Sequence, residues 1–244
     1  MKNIKLTIEY DGTNYFGWQK QPSVPTVQGE IEKAISKFLG RKTAINGASR
    51  TDAGVHALNQ VANFKTDCAI DADALKTGLN RLLPRDIVIK NSCEAGKTFH
   101  ARYSAKSKIY RYFILNENVP SAFGRYWRIE VSQPLNVGKM RKAGKYLEGR
   151  HDFASLMTGG SAVNSTKRTV SRVKVSKCGK FLVIEIQANG FLREMARLIS
   201  GLLIRAGLGK ITPEDVNKIL KGRSRALAGK AAEPRGLFLY KVIY

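Results

Sequence analysis

The chain has 244 residues, 43% of them hydrophobic, which is enough for one large core or two small ones and excludes a disordered or low-complexity protein. Its 42 Lys and Arg outnumber its 19 Asp and Glu, giving a formal charge of +23. That imbalance says little about fold, but it points to a polyanionic partner, and to phosphate backbones before a membrane surface, because no basic amphipathic helix concentrates it. Three cysteines without a CxxC spacing, and three histidines (His56, His100, His151) without ligand spacing, argue against a disulfide framework and a zinc site. The start reads as a strand, not a signal peptide, and no apolar run approaches membrane-spanning length. A cytoplasmic protein with no membrane contact is expected.

In chain order, "IKLTIEYDG" (4–12) alternates and ends in a turn, so it predicts a strand. Thr26 can cap a helix whose apolar face is Val27, Ile31, Ala34, Ile35 and Phe38, with Gly40 ending it. "TAIN" (43–46) and "QVANFK" (60–65) are short strand candidates. Asp71 caps a second helix carrying Leu75, Leu79, Leu82 and Leu83, stopped by Pro84, and "DIVIKNSC" (86–93) follows as a strand. The first half therefore spells β-α-β-β-α-β, the ferredoxin-like order.

The second half spells it again. "KSKIYRYFIL" (106–115) is a strand, and residues 136–149 are helical in pattern, with Val137, Met140, Ala143 and Leu147 on one side. Residues 169–190 form a hairpin that turns at Cys178-Gly179, with Leu182, Ile184 and Ile186 on one face and Glu185 and Gln187 on the other. Leu192, Met195, Leu198, Ile199, Leu202 and Leu203 make a helix over 191–205. Thr212, Pro213 and Asp215 then open another helix, with an N-cap, proline at the first position and an acid at the third. "GLFLYKVIY" (236–244) closes as a strand. The expected fold is α+β: two such halves, 1–105 and 106–244, with a break near Tyr103 to Ser107. They are expected to form a largely antiparallel sheet flanked by helices, with a basic central cleft.

Within "GASRTDAGVH" (47–56), Asp52 has two readings. Asp before Ala-Gly is ordinary turn chemistry. Equally, an ionised carboxylate beside Arg50, among residues small enough for close approach, suits a nucleophile, an electrostatic stabiliser or a base. Tyr110 and Tyr112 share one face of their strand, where they are either core or a stacking platform for an RNA base. Arg193, Arg197 and Arg205 stripe one helix face, for solvent or for a phosphate or carboxylate. His56 reads as a structural hydrogen-bonder, and the loop 158–168 as mobile and able to order on a large ligand. No GxxxxGK[ST] loop, GxGxxG turn or HxE…CxxC signature is present, which argues against a nucleotide cofactor and zinc chemistry.

Taken together, "YDGTNYFGWQKQ" with "TVQGEIEKAI", "GASRTDAGVHALNQVANF", "FHARYSAKSKIYRYFI", "EGRHDFASL", "ANGFLREMARLISGLL" and "AAEPRGLFLYKVIY" span the chain. In that order they resemble the bacterial tRNA pseudouridine synthase A family. The resemblance implies the pseudouridine synthase fold, and conversion of uridine to pseudouridine at positions 38, 39 and 40 of the tRNA anticodon stem-loop. It implies no cofactor and no metal, and a homodimer in which one tRNA spans both subunits. By it, Asp52 is the catalytic nucleophile, Tyr110 packs against the target base, Arg50 helps displace the target nucleotide, and Arg197 pairs with the catalytic carboxylate. Ala196 departs from the family's valine, and Arg193-Glu194 stand where histidines are frequent, which leaves Arg193 as an extra RNA contact at most. A non-catalytic tRNA-binding protein, or a synthase for another RNA, are the competing expectations.

Overall fold

The structure, a computed structural model, describes residues 1–159 and 164–244, so the centre of the 158–168 loop lies outside the described residues. The chain forms two compact units. The first comprises residues 1–106 and 238–244, and the second residues 107–237.

In the first unit, strand β1 (Lys2–Tyr10) lies between two antiparallel neighbours, β3 (His56–Thr66) and β4 (Ile87–Ala95). Its alternation buries Ile4, Leu6 and Ile8 on one face, as a half-buried strand requires. Helix α1 (Val27–Leu39) starts where the Thr26 hydroxyl accepts from the Gly29 N–H, and ends at Gly40 in the left-handed region (φ 68°). Helix α2 (Ala72–Leu82) is capped by the Asp71 carboxylate, which accepts from two N–H groups. Ile31, Ile35, Leu75 and Leu79 are buried, and α2 packs on β4. The second strand is shorter and later than the pattern suggests: β2 is Asn46–Gly47, paired with Asn63 and Ala62 of β3. A register shift between Ile8 and Tyr10 re-aims the end of β1 beside Ala57.

In the second unit, β5 (Ser107–Asn116) pairs antiparallel with β9 (Phe181–Ala188), β9 with β8 (Lys167–Cys178), and β8 with β7 (Gly149–Asp152). The short β6 (Ile129–Val131) runs parallel to the other edge of β5. Helix α3 (Val137–Lys145) packs on β8 and on α4 (Met195–Gly207). It stops before the predicted 149, because Gly149 (φ 106°) already begins β7. Helix α4 begins at Met195 instead of 191, since Glu194 takes a left-handed conformation (φ 59°) that no helix continues through. Leu192 stays buried all the same, in continuity with the helix face. Helix α5 (Pro213–Lys221) has the expected capping box between Thr212 and Asp215, and a short α6 (Arg225–Ala228) follows. Strand β10 (Leu237–Ile243) closes the chain. From Phe238 onward it belongs to the first unit, parallel to β3 with Phe238 opposite His56 and Leu239 opposite Ala57.

Candidate functional site

The "GASRTDAGVH" stretch is the connection between β2 and β3. Val55 N–H donates to the Asp52 carbonyl (3.1 Å), with Gly54 at φ 73° in the third position, so the main chain does make the turn read from the sequence. Asp52 is half-buried on that turn, while Arg50 is exposed. The two roles weighed for Asp52 are therefore compatible, one belonging to its backbone and the other to its side chain.

The turn is held by residues 33 to 41 positions earlier. Trp18 N–H donates to the Thr51 carbonyl (3.1 Å), and Gly54 N–H to the Tyr15 carbonyl (3.3 Å). The hydroxyls of Tyr10 and Thr51 share a buried hydrogen bond of 2.8 Å. Tyr15 is itself fixed by donating its hydroxyl to Asp86. Burial and that carboxylate push the Tyr15 phenol well above its ordinary value, so it stays a donor. Gly17 (φ 88°) comes so near the loop that a Cβ there would lie 2.5 Å from the Thr51 carbonyl oxygen, a space only glycine fits. On the other flank, the fully buried Gln60 returns both ends of its amide to Ser49, accepting from its N–H (3.3 Å) and donating to its carbonyl (2.7 Å).

His56 is fully buried and stacked on Phe238, with ring centres 4.6 Å apart. Its Nδ1 lies 3.0 Å from the Gly12 N–H and 3.1 Å from an Asp11 carboxylate oxygen. One nitrogen cannot accept from the first and donate to the second. The backbone N–H has no choice of role, so we assign the Nδ1 lone pair to Gly12 and the ring proton to Nε2. This agrees with the structural role expected for His56.

In the second unit, β5 turns Lys108, Tyr110, Tyr112 and Ile114 toward the same buried face. Tyr110 meets Phe191 edge-on at 4.7 Å. Tyr112 donates its hydroxyl to the Glu233 carbonyl (2.8 Å). Burial, reinforced by the Glu233 carboxylate against the opposing pull of Arg197 and Arg235, raises its phenol far above the ordinary range.

The three arginines of the stripe do not simply face solvent: each donates to a backbone carbonyl. Arg193 reaches Gly159 (3.0 Å), Arg197 reaches Ala232 (2.8 Å) and Arg205 reaches Ala228 (3.1 Å). Arg197 is the most enclosed by charge, since its guanidinium also holds the Glu194 carboxylate at 2.7 Å, and that carboxylate accepts from the Thr158 hydroxyl. Gly201 lets this chain segment approach, as a Cβ there would sit 2.8 Å from the Lys230 carbonyl.

Arg50 and Asp52 thus share a loop of the first unit, and Tyr110 and Arg197 belong to the second. Sequence reasoning gave no role to the residues that hold the loop, namely Tyr10, Gly17, Trp18 and Gln60, although they lie within the stretches that carry the resemblance. Glu194 was visible in principle as an i,i+3 partner of Arg197. Among the described residues no group of three His, Cys, Asp or Glu is placed to hold a metal ion, and no helix is long and apolar enough to cross a membrane.

Residues 6–104 and 143–244 match the family model described as tRNA pseudouridine synthase. The chain is 49% identical over 244 residues to tRNA pseudouridine synthase A of Thermoanaerobacter sp. (strain X514), covering 100% of both chains. With the same full coverage it is 47% identical to tRNA pseudouridine synthase A of Acetivibrio thermocellus, and 46% identical to tRNA pseudouridine synthase A 2 of Clostridium perfringens.

Proposed function

Because the chain belongs to the tRNA pseudouridine synthase family, we propose that it isomerises uridine to pseudouridine at positions 38, 39 and 40 of the tRNA anticodon stem-loop, with Asp52 as nucleophile. The observation that carries the reading is the Asp52 turn: a half-buried carboxylate on a loop clamped from both flanks by Tyr15, Trp18 and Gln60. Such fixing limits misplacement of a reacting group, which costs orders of magnitude in rate.

The isomerisation breaks the C–N glycosidic bond, turns the uracil over and forms a C–C bond to the same ribose. No atom is gained or lost, so the reaction calls for no cofactor. The carboxylate acts by attack at the ribose, by proton abstraction to a glycal, or by addition to the base. Every route needs the uridine out of its stack, at a cost of a few kcal/mol. By the family resemblance, Tyr110 packs against the extruded base, Arg50 takes part in displacing the nucleotide, and Arg197, which within its own unit is oriented by Glu194 and Ala232, pairs with the catalytic carboxylate. The +23 charge supports tRNA as the partner through counterion release.

The enzyme acts in the cytoplasm as a homodimer. What supports the dimer is an exposed aromatic cluster on the second unit, with Phe123 86% exposed and Tyr126, Trp127 and Phe181 beside it in sequence or on β9. An apolar surface of that kind is characteristic of interfaces. Mapping pseudouridine in tRNA from cells with and without this gene tests the assignment. Loss at positions 38–40 on deletion, restored by the wild-type gene but not by Asp52→Asn, is expected; unchanged modification after deletion would refute it.

A further inference from the structure

The end of β3 remote from the Asp52 turn opens into a groove of about 810 Å³. Arg41 and Lys42, from the connection after α1, line one side, Asn46 and Lys65 the floor strands, and Lys97 and His100 the loop after β4. No carboxylate is among the lining residues. Arg41 is partly neutralised by Asp67 and also donates to the Thr66 hydroxyl (2.7 Å). Lys42, Lys65 and Lys97 are exposed, and among the described residues none has a carboxylate partner.

A solvated face would explain scattered lysines in so basic a chain. This groove differs because its walls are built. The buried Asn63 donates to the Asn3 side chain (2.9 Å) and accepts from Ala101 N–H (2.9 Å). The buried Asn3 donates to the carbonyls of Gly96 (2.9 Å) and Phe99 (2.8 Å). Two interior amides, whose burial is costly unless satisfied, are thus used to pin the loop that carries Lys97 and His100. Phe99 is braced against Tyr244 at 4.9 Å, Lys5 lies over both rings, and the Tyr244 hydroxyl donates to the Ala101 carbonyl (2.8 Å). Like-signed side chains along a prebuilt concave surface suit an anionic ligand.

We propose that this groove is a second RNA-contact site, holding the phosphodiester backbone of a stem at a distance from the reacting nucleotide. The proposal rests on the pseudouridine synthase reading for the identity of the RNA. Seven to nine residues of β3 separate His56, beside the turn, from Asn63 and Lys65. At ~3.3 Å per residue that is about 23–30 Å, farther than the few pairs of a short A-form hairpin stem extend from the reacting nucleotide. Lysine ammoniums act as point charges on phosphate and read no bases, which suits recognition of a stem by shape and backbone.

The test uses the full-length protein with Lys42→Gln, Lys65→Gln and Lys97→Gln combined, all exposed positions whose fold need not change. Two RNAs are compared: a complete tRNA transcript, and an anticodon hairpin with a four-pair stem, too short to span ~23 Å. For the tRNA, affinity near 0.15 M salt should fall at least tenfold, and the slope of log K against log salt should flatten by about 2–3. Turnover at saturating tRNA should hold, and hairpin affinity should stay within twofold. Unchanged tRNA binding, or equal weakening on both RNAs, would overturn the proposal. If the wild-type protein binds tRNA but makes no pseudouridine, the functional reading fails by itself, and the binding comparison still decides the groove.

Discussion

Asp52 rides on a loop, and its position is set by Tyr10, Tyr15, Gly17, Trp18 and Gln60. Tyr110, in contrast, is a strand residue in register with Ile186, and Arg197 sits on the first turn of α4. Regular elements bring their own hydrogen-bond ladders, so a side chain on them is placed by its neighbours in the ladder. A loop has no ladder and borrows its precision from elsewhere in the chain. The first unit should therefore be sensitive at positions that never touch RNA, while the second should tolerate more.

Four changes test that contrast. Asp52→Asn has the largest effect: turnover of tRNA uridine should fall by at least about 10³-fold, with tRNA affinity within twofold in a binding assay. Turnover near wild type would remove Asp52 from the chemistry. Gly17→Ala comes next. Its methyl would meet the Thr51 carbonyl at a positive φ, and the displaced turn should cost about 100-fold in kcat together with a lower Tm. If kcat held, the turn would be less dependent on its clamp than the geometry indicates. Tyr112→Phe removes the donor to Glu233 and should cost about 1 kcal/mol in denaturant unfolding, with kcat close to wild type. Tyr110→Phe should be mildest, with kcat within about threefold, since stacking survives the loss of a hydroxyl. A collapse in rate would assign that hydroxyl a proton-transfer step and reverse the contrast.

Much of the fold was legible because its signals are local. Thr26, Asp71 and Thr212 cap helices where their side chains reach N–H groups two or three residues on. The alternation in 181–188 likewise predicts the burial of Leu182, Ile184 and Ile186, though not that of Glu185, which is buried between Arg111 and Arg172. What was not legible depends on φ or on distant partners. The apolar period runs through Leu192 into α4, but the left-handed Glu194 delays the helix to Met195. The pattern of "LFLYKVI" announces a strand without saying which strand it joins. At the candidate site, Asp52 stood out only through the family resemblance, since its residues alone fit a turn as well. Its supports were invisible because each acts through one or two hydrogen bonds, or one close approach, to residues that sequence alone does not place beside it. The resemblance pairs Arg197 with the catalytic carboxylate, and the structure adds Glu194 and Ala232 as its local anchors.

The destination of β10 also has a consequence for the order of events on the ribosome. The first unit lacks its closing strand, and His56 lacks the Phe238 ring it stacks on, until the intervening chain has been made. From residue 106 to residue 238 is 238 − 106 = 132 residues, which at ~5–20 residues per second takes about 7–26 s. During that interval the Asp52 turn can be preassembled but not locked. A nascent chain interrupted within the second unit would therefore carry an unfinished Asp52 loop, completed only with the last strand.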